Sequence, residues 1–203
     1  MANSYWFRSV LLISLCLLLT LGCASSKPSR YYILSPMLKV EKGVEGKASG
    51  QGLAIGVGPI EFPEYLNRSE IVTRTGSNEI EFTDFDYWAS SLRENFGRVL
   101  TENLSILLPT ETLVLLPRPR LVPVTYQIAM EVIRFDGALG GDVTLIARWA
   151  VFKTKDKELV LVRKSSVTEP VKTKGYEALV AAQSRAVEHL SREIAETIKT
   201  LPQ

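Results

Sequence analysis

The chain has 203 residues, 46% of them hydrophobic, with 24 basic against 22 acidic side chains and a formal net charge of +2. A balance this close to zero, with no long run of one sign, excludes the phosphate-gripping surface of a nucleic-acid-binding protein. Two cysteines and one histidine leave too few soft ligands for a zinc or transition-metal site, and no cofactor is expected.

The N-terminus carries the strongest signal. Arg8 gives the start one positive charge, Val10 to Leu21 is almost purely apolar, and Gly22-Cys23 follows at once. A basic start and a short apolar run read as a secretory signal peptide, too short to cross a bilayer comfortably. A small residue directly before a cysteine is the pattern of a bacterial lipoprotein signal. Cleavage after Gly22 would leave Cys23 as an acylated N-terminus, although Thr20 stands where a leucine is usual. The alternatives are a secreted protein cleaved near Ala24-Ser25 and an uncleaved anchor. The chain is thus expected to divide into a signal peptide (1–22), a lipidated tether (23–30) and one domain (31–203). From Ala24 to Arg30 the tether spans roughly 25 Å when extended. Ala24, where enterobacterial inner-membrane lipoproteins carry aspartate, favours the outer membrane. With Cys16 lost and Cys23 acylated, no thiol remains for an internal disulfide.

Along the body, Tyr31 to Ser35 reads as a short strand and Lys39 to Gln51 as a mobile loop. Leu53 to Phe62 reads as a second strand, with Gly56 and Gly58 relieving a bend. Ser69 to Thr75 and Glu79 to Thr83 flank Gly76-Ser77-Asn78 as a hairpin. From Asp86 the period becomes helical, with Trp88, Leu92, Phe96, Val99, Leu100, Leu104 and Leu107 on one face. Thr83, Asp84 and Asp86 are its candidate caps and Pro109 its stop. Leu113 to Leu116 is a further strand, and Pro117, Pro119 and Pro123 mark a connector or edge. Tyr126 to Phe135, Val143 to Phe152 and Leu159 to Val167 form an antiparallel meander. Gly175 to Leu201 is a second helix, with Glu188/Arg192 and Arg192/Glu196 as charge pairs four apart. The sum is an α+β single domain in which two main helices pack on a mixed or antiparallel sheet.

No catalytic constellation emerges, and the chain is not expected to be an enzyme. The only imidazole, His189, sits inside the last helix, so no positioned base serves a nucleophile. The GxG at Gly56 and Gly58 has Glu61 where a dinucleotide fingerprint needs a small residue. Trp88, Phe96 and Trp149 fall on apolar faces and read as core. Tyr65 and Leu66 follow Pro63 in a loop where exposed bulk would mark a contact surface. Phe135-Asp136-Gly137 and Gly140-Gly141 bound a turn whose glycines supply positive φ, with Leu139 as an apolar knob at its tip.

Several segments together resemble the ABC-transport auxiliary lipoproteins, the paraquat-inducible protein C family, also described as membrane-integrity-associated transporter subunits. They are YYILSP after the cysteine, PEYLNRSEIVTR leading into DYWASSLRENFGRVLTENL, RFDGALGGDVTLIARWAVF, and the closing YEALVAAQSRAVEHLSREIAETI. The resemblance implies an outer-membrane lipoprotein facing the periplasm. It would dock an MCE-domain protein, which works with inner-membrane transport components to move lipid, and would assemble into a homo-oligomeric ring. Candidate partner or oligomer contacts are Tyr65, Leu66, Arg68, Trp88, Phe135 and Leu139. Two other readings remain open: a pilotin-like assembly lipoprotein, and a carrier holding lipid in its own cavity.

Overall fold

A computed structural model describes residues 27–38, 53–110, 112–117 and 123–201. The signal peptide, Cys23 and the loop from Lys39 to Gln51 lie outside the described residues. The elements run β1 (Arg30–Tyr32), β2 (Ala54–Glu61), a single 3-10 turn (Glu64–Leu66), β3 (Glu70–Arg74), β4 (Ile80–Trp88), α1 (Leu92–Leu107), β5 (Thr112–Leu115), β6 (Tyr126–Gly137), β7 (Asp142–Lys153), β8 (Glu158–Pro170) and α2 (Tyr176–Lys199). The class is α+β, with two α-helices among the described residues. The strands form two sheets rather than one, ordered β1-β4-β3 and β5-β2-β6-β7-β8. The β3–β4 hairpin pairs antiparallel and takes the N-terminal strand, parallel to β4, as its third member. In the larger sheet β2 is parallel to both β5 and β6, and β6, β7 and β8 are the antiparallel meander.

The elements follow from the period of their apolar residues. Along β6 and β7 alternate side chains (Tyr126, Ile128, Met130, Val132; Val143, Leu145, Ala147, Trp149, Val151) are buried, as a sheet covered on one face requires. The cover is α1 and α2, which turn Leu92, Phe96, Val99, Leu100 and Leu104, and Leu179, Val187, Leu190, Ile194 and Ile198, into the core. Trp149 lies at the centre of the sheet, its indole N–H donating to Ser165 Oγ at 2.9 Å. Phe96 links helix to sheet through edge contacts with Phe62 at 5.2 Å and Phe135 at 5.5 Å. No helix among the described residues is long and apolar enough to cross a membrane.

Two local expectations are corrected. The first helix begins at Leu92, not Asp86, because Thr83 to Trp88 continues as β4 to pair with β1. Thr83, Asp84 and Asp86 therefore cap nothing. Thr83 and Asp86 bond one another, and Asp84 accepts from the Tyr87 hydroxyl through its backbone carbonyl. On α2 Arg192 pairs with Glu188 at 2.7 Å, whereas Glu196 pairs with Lys199 at 2.8 Å.

The bend in β2 sits at Gly58, whose φ is +121° and where the register shifts between Val57 and Ile60. A Cβ there would stand 2.7 Å from the Leu116 carbonyl oxygen. Gly58→Ala therefore carries both a strained backbone and a clash with main chain, and is expected to cost about 1–3 kcal/mol in urea unfolding. Gly56→Ala meets side-chain atoms only, the Leu116 Cδ1 at 2.8 Å and Val124 Cγ2 at 3.4 Å, and should cost less than Gly58→Ala in the same measurement.

Candidate functional site: a strapped N-terminus and two buried carboxylates

The segment from Tyr31 to Met37 is held by more than β1. Alternate residues point in opposite directions: Tyr32 and Leu34 turn inward, Tyr31 and Ile33 outward. Past Tyr32 the chain leaves the sheet, and its amides must find other acceptors. They find side chains of both helices. Leu34 N–H donates to Asn95 Oδ1 at 2.7 Å, Ser35 N–H to Ser184 Oγ at 3.1 Å, and Met37 N–H to Asn103 Oδ1 at 2.8 Å. Arg98 returns a bond to the Leu34 carbonyl at 3.3 Å. Asn103 also donates to Ser191 across the helix pair, so one side chain joins the strap, α1 and α2. Asn95 and Asn103 are eight residues apart, which places them on one helical face among Phe96, Val99, Leu100 and Leu104.

Asp86, 3% exposed, fixes the start of this strap. It accepts from Arg30 at 2.8 Å, the Tyr32 hydroxyl at 2.8 Å and Thr83 Oγ1 at 3.2 Å. Burial pushes its carboxyl up, but the bonds from Arg30 and Tyr32 outweigh that and hold it below the ordinary range. Burial and the Asp86 bond push the Tyr32 phenol up to about 12.

A second carboxylate joins the two sheets. Asp136 on β6 is fully buried. Arg74 on β3 grips it with Nε and Nη2, both at 2.9 Å, and Arg134 Nε bonds Oδ1 at 2.9 Å. The Tyr65 hydroxyl, from the 3-10 turn, donates to Oδ2 at 2.8 Å. The register shift between Val132 and Arg134 re-aims β6 where Arg134 and Asp136 meet. Gly137 admits this geometry by close approach, since a Cβ would meet the Asp142 carbonyl at 2.7 Å; the positive φ falls instead at Gly140 in the turn. Burial pushes the Asp136 carboxyl up, yet Arg74, Tyr65 and Arg134 hold it below the usual carboxylate range. The Tyr65 phenol is pushed up to about 12 by burial and by this bond.

Tyr65 and Leu66 are thus not exposed bulk. The 3-10 turn rotates them inward, burying Leu66 and leaving Tyr65 partly buried against Asp136. Leu139 also packs partly buried against the core rather than standing as a knob. Trp88 and Phe135 are buried. Arg68 stays at the surface, its guanidinium 3.5 Å from the centroid of the Phe82 ring and 3.8 Å from Glu70. His189 is largely exposed, with Nδ1 3.3 Å from Glu169. Among the described residues no group of three or more His, Cys, Asp or Glu is placed to hold a metal ion. Sequence reasoning missed Arg30, Arg74, Arg134, Asn95 and Asn103. The asparagines left a signal, two amides on an otherwise apolar helix face, and Asp136 left another, an acid inside an apolar strand.

Asp136→Asn keeps the shape but strands two guanidinium groups, and is expected to lower stability by about 3–5 kcal/mol in urea unfolding. Both carboxyls have folded values below the unfolded value of about 3.9. Their contribution is complete above that value and is lost as pH falls through the folded ones. Stability should therefore be flat in mildly acidic buffer and fall below about pH 4, with a shallower fall in Asp136→Asn than in the parent.

The ABC-type transport auxiliary lipoprotein component family matches residues 32–195. The intermembrane transport lipoprotein PqiC of Escherichia coli K12 is 25% identical over 192 residues, covering 94% of this chain and 98% of that protein. PqiC of Shigella flexneri matches to the same extent. A crystal structure of an uncharacterized protein superposes with a TM-score of 0.69 over 85% of this chain and 99% of that one, at 21% identity. One from Xanthomonas campestris gives 0.65 over 84% and 94%, at 14% identity, and these two likenesses speak for the fold. The strap, both carboxylate ties and the helix pair all fall within or beside the matched span, and the chain belongs to the ABC-type transport auxiliary lipoprotein component family.

Proposed function

We propose that this protein is a non-catalytic, lipid-anchored periplasmic subunit of an intermembrane lipid transport system. Cys23 carries the lipid, Ala24 directs it to the outer membrane, and the domain docks an MCE-domain protein whose inner-membrane components supply the driving force. The observation that carries this reading is the strap. The tethered end of the domain is bonded into a helix pair through three backbone amides, the construction expected of a domain held at a fixed distance from a membrane. Likeness to PqiC along nearly the whole of both chains supports it. So does the chemistry of the cargo: each acyl methylene exposed to water costs about 0.8 kcal/mol, so a docked conduit favours transfer. Assembly of several copies into a ring belongs to the same proposal. Leu66, Trp88 and Phe135 would then act by shaping the domain from within, because each is buried inside a single copy.

The experiment is crosslinking in intact cells, purification from membranes and identification of partners by mass spectrometry. Recovery of an MCE-domain protein is expected; recovery of envelope-assembly proteins alone would favour the pilotin-like reading and overturn this one. Cys23→Ser should release the protein from the outer-membrane fraction while leaving it folded. Organic extracts of a soluble form that begins after Cys23 should contain no stoichiometric phospholipid, the result opposite to that of a carrier.

A further inference from the structure

We infer that the exposed aromatic strip of the three-stranded sheet lies against the membrane interface. The inference rests on Cys23 being the acylated anchor. The strip is continuous through contacts. Tyr31 and Tyr87 have ring centroids 5.8 Å apart. Tyr87 stands opposite Glu70 in the hairpin register, Glu70 meets Arg68, and the Arg68 guanidinium lies over Phe82. Ile33 extends it along the outward side of the strap. Tyr31 is 68% exposed and Ile33 48%.

Two features select the lipid interface as the occupant. The first is reach. Arg30 is the seventh residue after Cys23, so the strip begins within about 25 Å of the lipid. The strap's bonds to Asn95, Ser184 and Asn103 hold Ile33 and its neighbours in a fixed orientation once the anchor is seated. The second is residue type. Tyrosine, phenylalanine and isoleucine beside charged groups match the boundary between acyl chains and water, where amphipathic aromatics concentrate. The larger sheet offers a built-in comparison. Its uncovered face carries Leu159 and Val162, each 52% exposed, but lies on a different sheet and has no connection to the tether.

The test uses the full acylated chain in vesicles of phosphatidylethanolamine with a minority of phosphatidylglycerol. Tyr31→Cys and Ile33→Cys each introduce a single free thiol for an environment-sensitive fluorophore, with Leu159→Cys and Val162→Cys as controls of similar exposure. Brominated lipids should quench the labels at positions 31 and 33 at least about threefold more than those at 159 and 162. Two exposed positions on the strip guard against one variant misfolding. Flotation reports the anchor separately. Protein that floats but is quenched equally at all four positions overturns the membrane-facing strip and leaves the anchor standing. Protein that does not float removes the anchor, and the strip's role falls with it.

Discussion

A carboxylate shut away from water is tolerable only if its charge is answered where it sits, and the joining of the two sheets depends on Asp136 meeting that condition. Neither sheet suffices alone. Three short strands with one exposed flank bury too little to stand independently, and the larger sheet has helices on one face only. Arg74 reaches from the small sheet, Arg134 comes from the same strand as the acid, and Tyr65 closes the remaining lone pair. Each donor belongs to a different piece of chain, so the geometry forms only when all are in place. Fixing the hairpin in this way fixes β4, and β4 carries the strand on which the N-terminus is laid.

Asp86 repeats the device on β4, the central strand of the small sheet. Its partners are short-range along β4 and long-range to β1, separated by 56 residues in one case and 54 in the other. The two acids therefore form a relay of position rather than of protons: β1, small sheet, large sheet, each pinned to the next by a charge-assisted bond.

Much of this architecture was legible in the sequence. The meander, both helices and the hairpin follow from period-2 and period-3.6 patterning with turn residues between, and YYILSP with PEYLNR and FDG sufficed to point to the family. What patterning could not separate was the boundary between β4 and α1. Trp88 satisfies the helical face of Leu92 and Phe96 as well as it satisfies the end of a strand, and tertiary pairing with β1 decides it. Nor could it foresee that Tyr65 turns inward, because its partner lies 71 residues away in sequence. Asn95, Asn103 and Asp136 are polar residues in apolar surroundings; their meaning required knowing which backbone amides reach the asparagines and which side chains reach the acid.

The strap also sets an order of events for the chain as it is made. Ser35 lies among the first residues to emerge, and its acceptor Ser184 lies 149 residues downstream. At ordinary elongation rates of about 5–20 residues per second, the Ser35 amide waits many seconds for that acceptor. That bond closes only when the last helix has formed, whereas the Leu34 and Met37 amides meet Asn95 and Asn103 once α1 is made. The strap is thus a seam fastened in two stages, and a chain that stopped before α2 would leave it half fastened.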